Sequence, residues 1–295
     1  MKKVSTGRAK LKMRKVVVLL FVMMPCLFLA QQIGGAGGDS SETGMGVSPS
    51  TLRFNARPGT IQTKTVKLTN DTRHTQKLQV SFNDYNSLTE GGGAGAKVSS
   101  DYKYALSKWL SVTPSYIEIP PRGQKTITIT LEVPNQDSAA IAAWTMIVID
   151  QVNDRKPLDV PDASANTVAM GIYQGVGFGI FVYQNPPNLV SNKVEITKLA
   201  FHEAEQKDPN SIELAARNVG DGIGFCLYYI ELANLTTGRS EKLKVNQFNL
   251  LPGYSRKVRY DLPKTLEKGK YSAVTVLDFG SKDDLQTAEL EFEIK

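Results

Sequence analysis

Cysteine is almost absent from this chain: its 295 residues hold Cys26 and Cys226 and no other. Cys26 falls within an N-terminal targeting segment, so one thiol remains beyond it. One thiol cannot close an intramolecular disulfide, and the fold must stand on its core. Phe225-Cys226-Leu227 gives that thiol apolar neighbours, the setting of a small buried residue. Histidine is equally scarce, with only His74 and His202. His202-Glu203-Ala204-Glu205-Gln206 lacks the second histidine of a zinc-protease helix. No Cys/His pair is on offer for nucleophilic catalysis. Gly91-Gly92-Gly93-Ala94-Gly95-Ala96-Lys97 is followed by Val98, not by the hydroxyl residue a phosphate loop needs. Its composition is that of a flexible hairpin loop. Asp278, Asp283 and Asp284 sit in a turn-rich stretch without the spacing of a calcium loop. No converging catalytic set can be assembled, so the chain is expected to be non-enzymatic, with no cofactor and no metal.

Long apolar runs are missing too, except at the start. Residues 16–29 are apolar and follow Lys2, Lys3, Arg8, Lys10, Lys12, Arg14 and Lys15. The run is too short for a comfortable membrane span. Residues 1–30 therefore read as a secretory signal peptide, cleaved near Ala30. Seven of the 35 basic residues and no acidic residue lie in this leader, which leaves 28 basic against 29 acidic. That balance carries no electrostatic footprint for nucleic acid or an anionic membrane. With this leader, the expected destination is outside the cytoplasm. No integral membrane segment is expected after cleavage.

A sustained 3.6-residue apolar period is the third absence; residues 102–109 give two turns at most. What is present is a series of short alternating segments. They cover residues 51–55, 63–68, 76–82, 109–112, 116–119, 126–133 and 142–152, separated by Gly, Pro, Asn and Asp. A second series covers 193–201, 211–218, 225–233, 240–248, 254–260, 269–277 and 288–294. The fold class is all-β, with two consecutive immunoglobulin-like β-sandwich domains. Residues 31–46 read as a flexible lead-in, 47–187 as the first domain and 188–295 as the second. Residues 153–166 are polar and read as a mobile loop.

The first domain closes on one unusual strand. Ile172, Gln174, Val176, Phe178, Ile180 and Val182 alternate with Gly175, Gly177 and Gly179, before Asn185-Pro186-Pro187 ends the run. Glycine weakens a strand interior, and three at period two mark a face that something approaches closely. Two roles fit: a core strand with a crowded back face, or an edge strand that offers its backbone to a partner.

Several segments carry a resemblance. They are Thr51-Leu52-Arg53-Phe54-Asn55-Ala56-Arg57-Pro58-Gly59, Val66-Lys67-Leu68-Thr69-Asn70, Leu110-Ser111-Val112-Thr113-Pro114, Pro121-Arg122-Gly123-Gln124 and Ala143-Trp144-Thr145-Met146. With the strand ending at Tyr183, they resemble the N-terminal domain of periplasmic pilus-assembly chaperones over residues 47–187. That resemblance implies a protein partner, a pilus or surface-fibre subunit, with an outer-membrane usher as a further partner. It implies donor-strand complementation, in which Ile172, Val176, Phe178 and Ile180 enter a subunit groove by β-augmentation. It also implies that Arg53 binds the subunit's terminal carboxylate. Where the family has a second basic residue, near Phe181, this chain has Ile180-Phe181-Val182-Tyr183. The alternative function is a structural or adhesive cell-surface protein, in which the strand is simply paired within the core.

Overall fold

The computed structural model describes residues 44–87, 94–152, 177–205, 208–281 and 284–295. The leader, the 153–166 loop, Ile172 and Val176 lie outside the described residues. Helix among the described residues is confined to two single 3-10 turns, Ser107–Trp109 and Asp137–Ala139. None of it is long and apolar enough to cross a membrane.

The strands alternate for a simple reason: apolar side chains at every second position point to one face. In β1 (Met45–Ser48), β2 (Thr51–Phe54) and β3 (Ile61–Asn70) the buried set includes Leu52, Phe54, Val66 and Leu68. There follow β4 (Gln76–Asn83), β5 (Tyr85–Ser87), β6 (Ala94–Lys97), β7 (Leu110–Thr113) and β8 (Tyr116–Ile119). Next come β9 (Gln124–Glu132), β10 (Ala143–Gln151) and β11 (Gly177–Gln184). One sheet runs β1-β3-β9-β7 and the facing sheet runs β2-β11-β10-β4-β8. Ile127, Ile129 and Leu131 of the first sheet meet Ile147, Ile149, Ile180 and Val182 of the second in one core. Burying each such side chain stabilises the fold by roughly 1.5–3 kcal/mol. The chain changes sheets between β1 and β2, at Pro49, which has no N–H to give either ladder.

The second sandwich has β12 (Val194–His202), β13 (Ser211–Asn218), β14 (Gly224–Asn234) and β15 (Ser240–Lys242). It continues with β16 (Asn246–Leu250), β17 (Ser255–Asp261), β18 (Gly269–Asp278) and β19 (Gln286–Ile294). Its sheets are β12-β13-β17 and β15-β14-β18-β19, with β16 also on β14. Cys226 is buried in the core between them. Burial pushes its thiol up to about 12, further supported by Asp278 and opposed by Arg256.

The structure corrects the sequence reading at three points. The strand series starts at Met45, inside the lead-in, because β1 pairs with β3. Ala94–Lys97 is not loop but pairs with Tyr85–Ser87. Residues 240–248 form two strands, since Lys242 lies opposite Glu231 and Asn246 opposite Tyr228. Three residues there oppose two on β14, which is a bulge. The Tyr260 hydroxyl takes up the freed Lys244 carbonyl at 2.8 Å.

Candidate functional site

β11 has two unlike halves. Along its whole length it is antiparallel to β10, from Asp150 opposite Gly177 to Ala143 opposite Gln184. On its other side β2 covers only Phe181 to Gln184, in parallel register. The Phe181 N–H donates to Ser50 O at 3.1 Å and the Asn185 N–H to Phe54 O at 3.1 Å. Odd positions thus turn their backbone groups toward β2, and even positions toward β10. Beyond the start of β2, the groups directed to that edge belong to Gly177 and Gly179. No strand among the described residues pairs with them there. The strand is a core strand at one end and an edge strand at the other.

The side chains follow the same alternation. Ile180 is fully buried in its own sandwich core, opposite Ile147. The expectation that it enters a partner's groove is therefore corrected: its face of β11 is the inner one. Phe178 is half-buried and packs against the same core. The glycine face points outward, with Asp150 and Met146 lying across it. A Cβ on Gly177 would meet Asp150 Oδ1 at 2.7 Å, and one on Gly179 would meet Met146 Sδ at 2.7 Å.

Further along the same outer face, the glycines give way to Phe181 and Tyr183. These join Tyr85 and Trp144 in an apolar cluster that also takes in Ile223, Phe225 and Leu251 of the second sandwich. Tyr85 meets Phe181 edge-on at 5.9 Å, and Tyr183 meets Phe225 edge-on at 5.8 Å. Burial, with Tyr183 beside it, pushes the Tyr85 phenol well above its ordinary range. Trp144 Nε1 donates to the Tyr85 carbonyl at 2.8 Å, so the indole N–H is paired inside the cluster. Two consecutive amides then fix the end of β11, the first within its own sandwich and the second across to the next. Gln184 receives the Ala56 N–H at 3.1 Å and donates to the Ala56 carbonyl. Asn185 receives the Ile223 N–H at 3.0 Å and donates to the Ile223 carbonyl at 3.3 Å.

Arg53 stands on β2 opposite Tyr183 and lines the cleft between the sandwiches. Its guanidinium lies 4.1 Å from the Phe225 ring centroid, and its Nη2 donates to Asn249 Oδ1 at 3.4 Å. A second cation enters from β17: Arg256 Nη1 donates to the Asn249 carbonyl at 3.2 Å. The sequence reading missed Arg256. The signal was there, because Arg256 shares the inward register of Val258 and Tyr260, where a cation is out of place. Arg256, Asn249 and Leu251 close a cavity of about 240 Å³ with Tyr85, Ser87, Phe181 and Tyr183.

No family model and no curated protein matches the chain. The chain is similar to solved fimbrial chaperones. The class 5 fimbriae chaperone CfaA is 12% identical with a TM-score of 0.41, covering 84% of this chain and 98% of that one. The E. coli chaperone DraB is 17% identical with a TM-score of 0.38, covering 85% and 95%. The Pseudomonas aeruginosa CupB2 chaperone is 13% identical with a TM-score of 0.37, covering 82% and 98%. Among the described residues, no three His, Cys, Asp or Glu side chains come close enough to share a metal ion.

Proposed function

We propose that this chain is a non-enzymatic, chaperone-like protein of the periplasm that holds a pilus or surface-fibre subunit by β-augmentation. The observation that carries the proposal is the free edge of β11 at Gly177 and Gly179. Backbone groups exposed in this way are a template for another strand. Augmentation draws affinity from main-chain bonds, and glycine keeps that approach open. The inward burial of Ile180 limits what the strand can lend. In the described part it offers its backbone edge, with Phe178 as the half-buried apolar side chain next to the two glycines. By sequence, the apolar alternation continues through Val176 and Ile172. Arg53, exposed at the far end of the same strand pair, would meet a partner's carboxylate.

Coexpression with candidate fibre subunits, followed by amide hydrogen exchange, tests this. A one-to-one complex is expected. In the free protein the Gly179 amide exchanges quickly and that of Ile180 slowly. Complex formation slows Gly179. A complex that leaves Gly179 exchange unchanged, or no complex with any fibre subunit, overturns the proposal and leaves the structural cell-surface role.

A further inference from the structure

We propose that the outer end of the second sandwich binds a basic amino acid, a small ligand with two amines and one carboxylate. A cavity of about 330 Å³ opens there, between the β14–β15 hairpin and the loop that leads into β18. Strand β14 runs 11 residues, from Gly224, next to the Ile223 that Asn185 binds, to Asn234 at the cavity. At the rise of a strand this places the cavity about 30 Å from the junction of the two sandwiches. The observation that points to a ligand is Asn234, which is 9% exposed. Its Oδ1 accepts from the Thr236 and Thr237 N–H groups at 2.9 and 3.0 Å. Those two donors fix which way the amide faces. Its Nδ2, turned the other way, has no hydrogen-bond partner among the described residues, and the side chain lines the cavity. A donor left unmade at such a depth is costly, and a ligand oxygen offsets that cost.

The rest of the lining selects the ligand. Its charged members are Arg239, Glu241 and Glu267, all exposed at the mouth. Among the described residues none of the three forms an ion pair. Glu241 stands opposite Leu232 on the ladder, so it shares the inner face with that core residue. The Tyr271 hydroxyl donates to the Glu267 carbonyl at 2.8 Å and ties the loop to the core. Leu232 and Leu266 supply an apolar floor. The lining thus presents one cation and two carboxylates, and a basic amino acid presents the reverse. Its carboxylate accepts from Asn234 Nδ2 and Arg239, and its two ammonium groups donate to Glu241 and Glu267. Its methylene stem lies over the two leucines. A neutral sugar would leave all three charges unmatched. The volume is at the small end for a ligand site and suits a single amino acid.

The test titrates the whole mature chain with L-lysine, with cadaverine, which lacks the carboxylate, with aminohexanoate, which lacks the α-amine, and with glucose. The readout is the Asn234 side-chain NH₂ resonances in ¹H–¹⁵N spectra. Lysine is expected to shift them saturably and at lower concentration than either truncated analogue, and glucose to leave them unmoved. Asn234→Asp keeps the oxygen that holds the turn and removes the donor; it should weaken lysine binding by about ten- to hundredfold. Arg239→Gln, an exposed change that spares the fold, should weaken it about two- to fivefold. No saturable shift with lysine, equal affinity for lysine and either analogue, or wild-type affinity in Arg239→Gln overturns the site. The wild-type titrations and Arg239→Gln decide this even where Asn234→Asp fails to fold. No fibre subunit is present and β11 takes no part, so failure here is distinguishable from failure of the strand-edge complex.

Discussion

Arg53 and Arg256 converge on one residue: Arg53 donates to the side-chain oxygen of Asn249 and Arg256 to its backbone carbonyl. They come from different sandwiches and use different ends of the same acceptor. Arg53 is exposed, and its bond to Asn249 is long at 3.4 Å, so little stability rests on it. Arg53→Ala is expected to leave the melting temperature within about 2 °C of wild type, since surface changes fall within roughly 0.5 kcal/mol. Partner capture should fall all the same. Unchanged capture removes Arg53 from the site.

The inner face of β11 makes a graded prediction. Ile180→Asp places a carboxylate with no partner in a fully enclosed apolar site, at a cost of several kcal/mol, enough to unfold a marginal domain. Phe178→Asp is half-exposed and escapes part of that cost. Thermal unfolding should rank wild type above Phe178→Asp and Phe178→Asp above Ile180→Asp. Equal melting temperatures for the two variants would place Ile180 outside the core.

Alternation made most of the strands legible, because a period of two is a local property of the chain. The β11 pattern of apolar residues against glycine was legible for the same reason. Which face turned inward was not. That depends on Ile147 and Ile149 across the ladder, which no local pattern identifies as partners. The half-edge was hidden as well, since it arises where β2 stops pairing at Thr51, more than 120 residues earlier. Arg256 was missed because its site forms only when β17 of one sandwich meets Tyr183 of the other.

The end of β11 is fixed by Gln184, which bonds the Ala56 backbone within the first sandwich. Gln184→Ala removes both bonds to Ala56 and leaves a buried N–H and a buried carbonyl unpaired, at about 1–3 kcal/mol each. The expected result is a clear fall in the urea midpoint with an unchanged m-value. An unaffected midpoint would mean that solvent reaches the Ala56 backbone.

Alkaline pH should weaken the fold in part through Cys226. Its thiol is held near 12 in the folded chain, against about 9 when unfolded. Between those values the unfolded state loses the proton and the folded state keeps it, so stability is intact below about pH 9 and declines toward pH 12. Cys226→Ala should flatten that part of the decline, leaving the share that comes from the buried tyrosines. Denaturant midpoints measured from pH 8 to 11 show the difference. Identical slopes for both proteins would place the thiol in contact with water.

Gly179 separates a backbone edge from a core strand. Its N–H faces the side of β11 that β2 leaves uncovered, while Phe178 and Ile180 hold the β10 ladder. Proline at 179 deletes only that outward N–H and sets a preference for extended backbone at Phe178, which β11 already has. Its Cβ does crowd Met146 Sδ, so Gly179→Ala is the matched control, with the same crowding and the N–H kept. Methionine is flexible enough to yield in both. The expected result is two variants with similar melting temperatures, of which alanine still captures a fibre subunit and proline does not. Should proline unfold the protein while alanine leaves it folded, the Gly179 N–H is bonded inside the molecule and no free edge exists. Equal capture by both would mean that the partner never pairs with this edge.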